Sequence, residues 1–262
     1  MHKEQEYYRK RTHLLLVLSG IFISNALLAE MIGVKIFSLE KMLGIPPAQI
    51  PIMGYRLDFN LSAGVVIWPV VFIISDIVNE YFGKGGVRYL SILTAALIAY
   101  AFLGISVTTH LPAADFWVTI YKEKVTPPID INYAYNTVYR QGLGIIIGSI
   151  TAFLLGQLID ATVFSLFKKR TGEKYIWLRA TGSTIVSQFI DSFVVIYIAF
   201  YIFGPWSLSE IISVGIINYS YKFIIAVITT PVLYLIHYLV EWYLGDDIAQ
   251  RLKKEALNSP LF

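Results

Sequence analysis

Six stretches of this chain are apolar for long enough to cross a lipid bilayer, and no soluble fold has a use for six of them. Crossing the hydrocarbon takes roughly 20 mostly apolar residues in a helix, which satisfies its own backbone polar groups where no water can. The stretches are Leu14–Met31, Leu61–Val78, Leu90–Thr108, Gly142–Phe167, Thr184–Phe203 and Ile211–Val240. Little sequence is left for a soluble domain, so residues 1–262 read as one transmembrane domain. The expected fold is an all-α integral membrane protein, a bundle of six transmembrane helices. Composition agrees: 56% of residues are hydrophobic and 15% charged, with a mean hydropathy of +0.62, all shifted from globular averages.

Orientation follows from the Lys and Arg residues that flank the spans. With the N-terminus in the cytoplasm, fourteen fall on the inner side and six on the outer, and Lys222 lies within a span. Both termini are therefore expected in the cytoplasm, in the cytoplasmic (inner) membrane of a prokaryote. Arg9, Lys10 and Arg11 before the first apolar run resemble the start of a signal peptide, but the charged stretch "NALLAEMIGVK" does not suit a cleavage region, so the run reads as a retained helix. The net charge of +3 is spread as topology signals rather than gathered in a patch, which argues against a nucleic-acid partner. The lipid bilayer is the expected large-scale partner, and dimerisation is left open.

Three prolines in "GIPPAQIP" mark the segment between Ser38 and Asn60 as an extracytoplasmic loop. The loop from Thr109 to Arg140 carries Phe116, Trp117, Tyr121, Tyr133, Tyr135 and Tyr139, fitting an aromatic belt at the membrane interface or, alternatively, a substrate lid. In the fourth span Gly144, Gly148, Ala152 and Gly156 recur every four residues, the spacing that lets two helices approach closely. Asp160 is the next step of that row and is expected to face protein rather than lipid. The last span is longer than the hydrocarbon requires and carries Pro231, so a tilt, a kink or an overhang is expected. Three spans of each orientation permit an inverted repeat.

Inside these spans are polar residues that cost about 2.5 to 3.5 kcal/mol each when charged and central. They are Asn25 and Glu30; Asp76, Asn79 and Glu80; Gln157 and Asp160; Gln188 and Asp191; and Asn218 and Lys222. "GQLID" at 156–160 is echoed as "SQFID" at 187–191. Thr184, Gln188 and Asp191 share a helical face, as do Asn218, Lys222 and Thr229. Depth counted along the helices places Asp191 and Lys222 near the midplane as an ion pair, which either only pins two helices or serves a site. Glu80 reads as a helix end entering the cytoplasmic interface.

Enzyme signatures are missing. The four histidines are scattered, and the chain has no metalloprotease, nucleophile-elbow or phosphate-loop motif. The absence of cysteine rules out thiolate chemistry and disulfides. No cofactor or metal is expected.

The segment "WPVVFIISDIVNEYFGKGGVRYL" at 68–90, and the more specific "GQLIDATVFSLFKKRTGEKYIWLRATGSTIVSQFIDSFVVIYIAF" at 156–200, resemble the queuosine precursor transporter family, also called the vitamin uptake transporter family. The likeness reaches weakly into "SNALLAEMIGVKIF" and covers about two thirds of the chain. It implies a six-helix importer of 7-deazaguanine bases, similar to substrate-binding subunits of modular vitamin importers. Asp76, Asn79, Glu80, Gln157, Asp160, Trp177, Arg179, Ser183, Gln188, Asp191 and Ser192 match the shared pattern.

A guanine-like edge offers two adjacent N–H donors beside a carbonyl, which a carboxylate and an amide complement. Aromatic side chains stack on such a base for about 1 to 3 kcal/mol. On this reading Asp191 or Asp160 grips the donor edge, Gln188 and Gln157 assist, Asn25 or Glu30 closes the site, and Trp68 or Phe72 stacks. Three rival readings stand beside it: a substrate-binding subunit for another vitamin or nucleobase that borrows an ATPase, an intramembrane enzyme using Asp160 with Asp191, and a scaffold whose polar groups only lock helices.

Overall fold

The computed structural model describes residues 2–123, 126, 128–171 and 175–257. Lys124 and Lys174, which count toward the charge bias, lie outside the described residues. Among the described residues, five helices are long and apolar enough to cross a membrane. The protein is an all-helical membrane bundle with one addition at its edge.

The first helix, α1 (His2–Ile32), is followed by a connection that the proline content marks as a loop. It is more ordered than that. Strand β1 (Ile36–Ser38) pairs antiparallel with β4 (Asn60–Ser62), and between them lie the short helix α2 (Leu39–Leu43) and a hairpin of β2 (Ile50–Ile52) and β3 (Tyr55–Leu57). Proline prevents helix here, so the backbone finds its partners across short ladders instead. Met53 and Gly54, at φ 48° and 89°, form the two-residue turn that suits such a hairpin. These strands correct a purely α-helical expectation.

Helix α3 (Trp68–Thr109) begins with Pro69 in its first turn and contains the third expected span and the second from Trp68 onward, whereas the expected start of the second lies in β4 and in the 3-10 turn Ala63–Val66. Its 42 residues would extend about 63 Å if straight, roughly twice the hydrocarbon thickness. Gly83 resolves the mismatch. At φ 72° and ψ −179° it occupies backbone space open in practice only to glycine and divides the helix into two arms. Beyond it Gly86 folds back so closely that an added Cβ would lie 2.8 Å from Phe82 and 3.5 Å from Val78. Arg140 donates to the Thr109 carbonyl at 2.8 Å, and adjacent Gln141 donates to the Glu30 carbonyl at 3.1 Å. The far end of α3 thus returns to the level where α1 ends.

The aromatic connection forms two short helices, α4 (Asp115–Glu123) and α5 (Ile131–Tyr139), with Trp117 edge-on to Tyr135. Helix α6 (Leu143–Thr171) then packs antiparallel on α7 (Ile176–Ile196) and the π-helical turn 197–202 that prolongs it. The small-residue row makes this contact. A Cβ on Gly148 would lie 3.0 Å from the Val195 carbonyl, and one on Gly144 would collide with Phe203.

The last expected span is not one helix. It divides into α8 (Leu208–Ile228) and α9 (Thr230–Leu244), broken at Thr229 because Pro231 lacks an N–H and its ring obstructs the preceding turn. The final helix, α10 (Asp246–Leu257), returns to α1: the Tyr7 hydroxyl donates to Glu255 at 2.5 Å and Lys10 donates to the Leu244 carbonyl at 3.1 Å.

Two predictions follow from this architecture. Gly83→Ala forces a strained backbone and is expected to cost about 1–3 kcal/mol, read as a lower melting temperature in detergent. The second concerns Glu40, buried beneath the hairpins, whose carboxylate accepts the Phe59 N–H at 2.7 Å and the Ser38 hydroxyl at 3.0 Å. Burial acts to raise this carboxyl, but the backbone N–H and hydroxyl donors outweigh it and hold the group below its ordinary range. Its stabilisation is therefore complete at neutral pH and is lost only as pH falls through the lowered value. Hydrogen exchange at the Phe59 amide should stay slow at neutral pH, quicken in strong acid, and be fast throughout in Glu40→Leu, which has no acceptor for that N–H.

Candidate functional site

The bundle brings its polar residues together through helix register. On α3 and α6, which run parallel here, the Ser75 hydroxyl donates to Gln157 Oε1 at 2.7 Å, and Asn79 Nδ2 donates to the Ala161 carbonyl at 3.1 Å. Between these rungs Asp76 and Asp160 stand at the same level. On α6 and α7, which are antiparallel, Gly156 lies opposite Asp191, and Asp160 accepts the Ser187 hydroxyl at 3.2 Å. The two echoed motifs are thus placed crosswise about one contact.

Two adjoining cavities open from this meeting point. The larger, about 560 Å³ including its mouth, lies between α3, α7, α8 and α9. Asp76, Thr181, Thr184, Gln188, Tyr221 and Lys222 supply its polar lining. The smaller, about 220 Å³, is lined by Gly156, Gln157, Gln188 and Asp191. Trp68 and Phe72 border both, their rings 5.9 Å apart and nearly parallel, with Phe153 5.7 Å from Trp68.

Several polar atoms here are buried without a protein partner: Asp76 Oδ1, Gln157 Nε2 and both side-chain atoms of Gln188. Gln188 is 2% exposed and Asp76 5%. Leaving such groups unsatisfied costs about 1–3 kcal/mol each, so these are the groups beside the aromatic wall that a polar ligand would satisfy. The set comprises a carboxylate acceptor, an amide donor, and an amide offering both.

Other residues singled out in the sequence are occupied elsewhere. Asp191 is paired with Lys222, as their depths suggest, and this neutralises both at the cavity margin. Asp160 lines neither cavity and is enclosed within reach of the Ser183, Thr184 and Ser187 hydroxyls. Asn79 is held between the Ala161 carbonyl and the Ser165 hydroxyl. Glu30 accepts the Ser149 hydroxyl at 2.5 Å, and Asn25 donates to the Ile21 carbonyl of its own helix. Asn218 borders neither cavity. Sequence reasoning passed over Thr181, Tyr221 and Phe153 as lining residues. Tyr221 had a usable signal, since it adjoins Lys222 in the polar stretch "NYSYK".

Glu80 corrects its expected place most sharply. It is not at an interface but 1% exposed, bonded to Arg179 at 2.8 Å and to Lys168 at 3.2 Å. Both cations come from flanks read as cytoplasmic charges, and both are buried. Lys168 also donates to the Glu80 carbonyl at 2.6 Å, so α3, α6 and α7 are tied immediately before the Gly83 bend.

The family described as putative vitamin uptake transporter matches residues 62–236, which hold every wall of both cavities. A protein of Bacillus subtilis (strain 168) named probable queuosine precursor transporter is 27% identical over 183 residues, covering 67% of this chain and 72% of the relative. One of the same name from Haemophilus influenzae is 24% identical over 182 residues, covering 67% of this chain and 68% of the relative. No solved structure matches the chain.

Removing one partner from a buried ion pair costs about 3–5 kcal/mol, because the other charge stays behind. Glu80→Leu removes the carboxylate that Lys168 and Arg179 share and is expected to lower the yield of folded protein and its melting temperature far more than Glu6→Leu at the more exposed Lys10 pair, a comparison made by size-exclusion profile and thermal unfolding.

Proposed function

This chain belongs to the vitamin uptake transporter family, and on that premise we propose that it imports a queuosine precursor, a 7-deazaguanine base such as the 7-cyano or 7-aminomethyl form, through a site between α3, α7 and α8. The chain is an integral membrane transporter and not an enzyme. The finer reading takes its substrate from the names of the two relatives and its site from the unsatisfied polar atoms.

The observation that carries the reading is the arrangement of Asp76 Oδ1, Gln188 and Gln157 Nε2 beside the Trp68–Phe72 wall. A carboxylate accepts the paired N–H donors of a guanine-type edge, an amide N–H meets its carbonyl, and the rings cover a face. Asp76 takes the gripping role first assigned to Asp191 or Asp160, since Lys222 occupies one and hydroxyl groups the other. Lys222 and Asp191 form the margin against which the 7-substituent lies.

The two arms of α3 count as separate crossings in this reading, making six with α1, α6, α7 and α8. The bonds from Tyr7 to Glu255 of α10 and from Lys10 to Leu244 at the end of α9 support a topology in which the start of α1 and α10 share one side, assigned by the positive-inside rule to the cytoplasm of a prokaryotic cell. Residues 1–262 act as a single transmembrane domain. An intramembrane aspartate enzyme is disfavoured because the Asp160 and Asp191 carboxylates have separate partners. No ATP-binding motif is present, and the reading requires none.

Ligand-induced stabilisation tests the proposal. Purified protein should melt higher with 7-cyano-7-deazaguanine than with guanine or with vitamins. Asp76→Asn and Gln188→Leu should fold yet bind about 10- to 100-fold more weakly, the loss expected for one or two buried hydrogen bonds. A shift unchanged in both variants would remove these residues from the site, and no shift with any deazaguanine would remove the substrate assignment.

A further inference from the structure

The carboxylates inside the bundle are not treated alike. Asp191 has Lys222, and Glu80 has both Lys168 and Arg179. Among the described residues, Asp76 and Asp160 have no ion pair of their own, although both are almost fully buried. The hydrogen bonds from Ser75 to Gln157 and from Asn79 to Ala161 bracket them at one level of the α3–α6 contact. The charged groups acting on Asp76 are Asp160 from α6, Glu80 on its own helix and Arg179 from α7, while Lys222 and the Tyr221 hydroxyl border the same cavity from α8. Arg179 is already engaged with Glu80, and Lys222 with Asp191. Among the described residues of the α3–α6–α7 contact, with Asp191 neutralised by Lys222 of α8, the buried acids Asp76, Asp160 and Glu80 outnumber the buried cations Lys168 and Arg179 by one.

The hydroxyl groups around Asp160 show how one positive charge can be added. Ser183 donates to the Ala180 carbonyl and Ser187 to the Thr184 carbonyl, both at 3.0 Å. Each hydroxyl has a single hydrogen. Ser187 has one hydrogen for two acceptors, the Thr184 carbonyl at 3.0 Å and Asp160 Oδ1 at 3.2 Å, so when that hydrogen goes to the backbone the contact with Asp160 is a hydrogen bond only if Asp160 supplies the hydrogen. Meanwhile Asp76, which lines the larger cavity, keeps its Oδ1 without a hydrogen-bond partner.

We propose that Asp76 and Asp160 form a proton-holding pair, with the proton on Asp160 when Asp76 grips the transported base, and that this proton is carried inward with the base. The inference rests on the transport reading above and adds its driving force. Two neighbouring carboxylates in a dry interior do not both stay ionised. While Asp160 holds the proton, Asp76 is an anion able to accept two N–H donors. When the site opens inward, the O–H bond of Asp160 breaks and the proton passes to water. The base leaves on the inner side with that proton, and the water-filled pair takes its next proton onto Asp160 from outer water once the site opens outward again, so that one proton enters with each base.

Two measurements on the full chain test this. Infrared difference spectra between neutral and alkaline pH should contain a protonated-carboxyl C=O band, and Asp160→Asn should remove it. The absence of such a band, or its loss in Glu30→Gln but not in Asp160→Asn, overturns the pair. In proteoliposomes, a pH gradient acid outside should drive accumulation of 7-cyano-7-deazaguanine, up to about tenfold per pH unit for one proton. Asp160→Asn should still exchange internal for external base yet show no gradient-driven accumulation. Accumulation intact in that variant, or wild-type uptake indifferent to the gradient, overturns the coupling. If the base fails to bind at all, the substrate assignment fails, and the infrared result still decides whether the pair holds a proton.

Discussion

The close antiparallel contact of α6 on α7 is the constraint from which the rest of the interior follows. A lipid bilayer offers no hydrophobic drive for helix association, so the contact must come from shape, and glycine and alanine at four-residue intervals supply it. Backbone proximity at Gly148 sets the register, and that register carries Gly156 opposite Asp191 and Asp160 opposite Ser187. Polar side chains that would each be costly in lipid are thereby confined to one seam. Larger side chains along this row would separate the helices and disperse the residues lining both cavities.

A second constraint is electrostatic. Glu80 holds Lys168 and Arg179 on the side of the seam nearest the Gly83 bend, and Asp191 holds Lys222 at the cavity margin. These pairs consume the cations of the core, and that consumption gives Asp76 and Asp160 their character. A carboxylate with a cation beside it is a structural element. One without a cation is available to a ligand or a proton. The difference between Asp191 and Asp76 is therefore one of neighbours rather than of residue type.

Much of this was legible in the chain. The apolar runs, the small-residue row and the ion pair of Asp191 with Lys222 appear in the structure, because each depends on local spacing or on depth in the membrane, and of the tilt, kink or overhang open to the last span the structure takes a break near Pro231. The strands around α2 were not legible, since three-residue ladders depend on pairing between segments about 25 residues apart. Glu80 was misplaced for a related reason. Its position near a helix end suggested the interface, and only the arrival of Lys168 and Arg179 from two other helices makes its burial tolerable.

By itself the sequence determined the environment: runs of apolar residues compel helices in a bilayer, and the intramembrane amides and carboxylates compel an interior to receive them. It also determined the family, through the motifs at 68–90 and 156–200. What only the tertiary structure decided is which polar groups are spent and which remain. Asp160, Asp191, Asn79 and Glu80 look alike as sequence with Asp76 and Gln188, but a hydrogen-bond or ion-pair partner comes from another helix, and its arrival depends on register that one-dimensional spacing does not contain. Side-chain chemistry is written residue by residue, whereas satisfaction is a property of pairs.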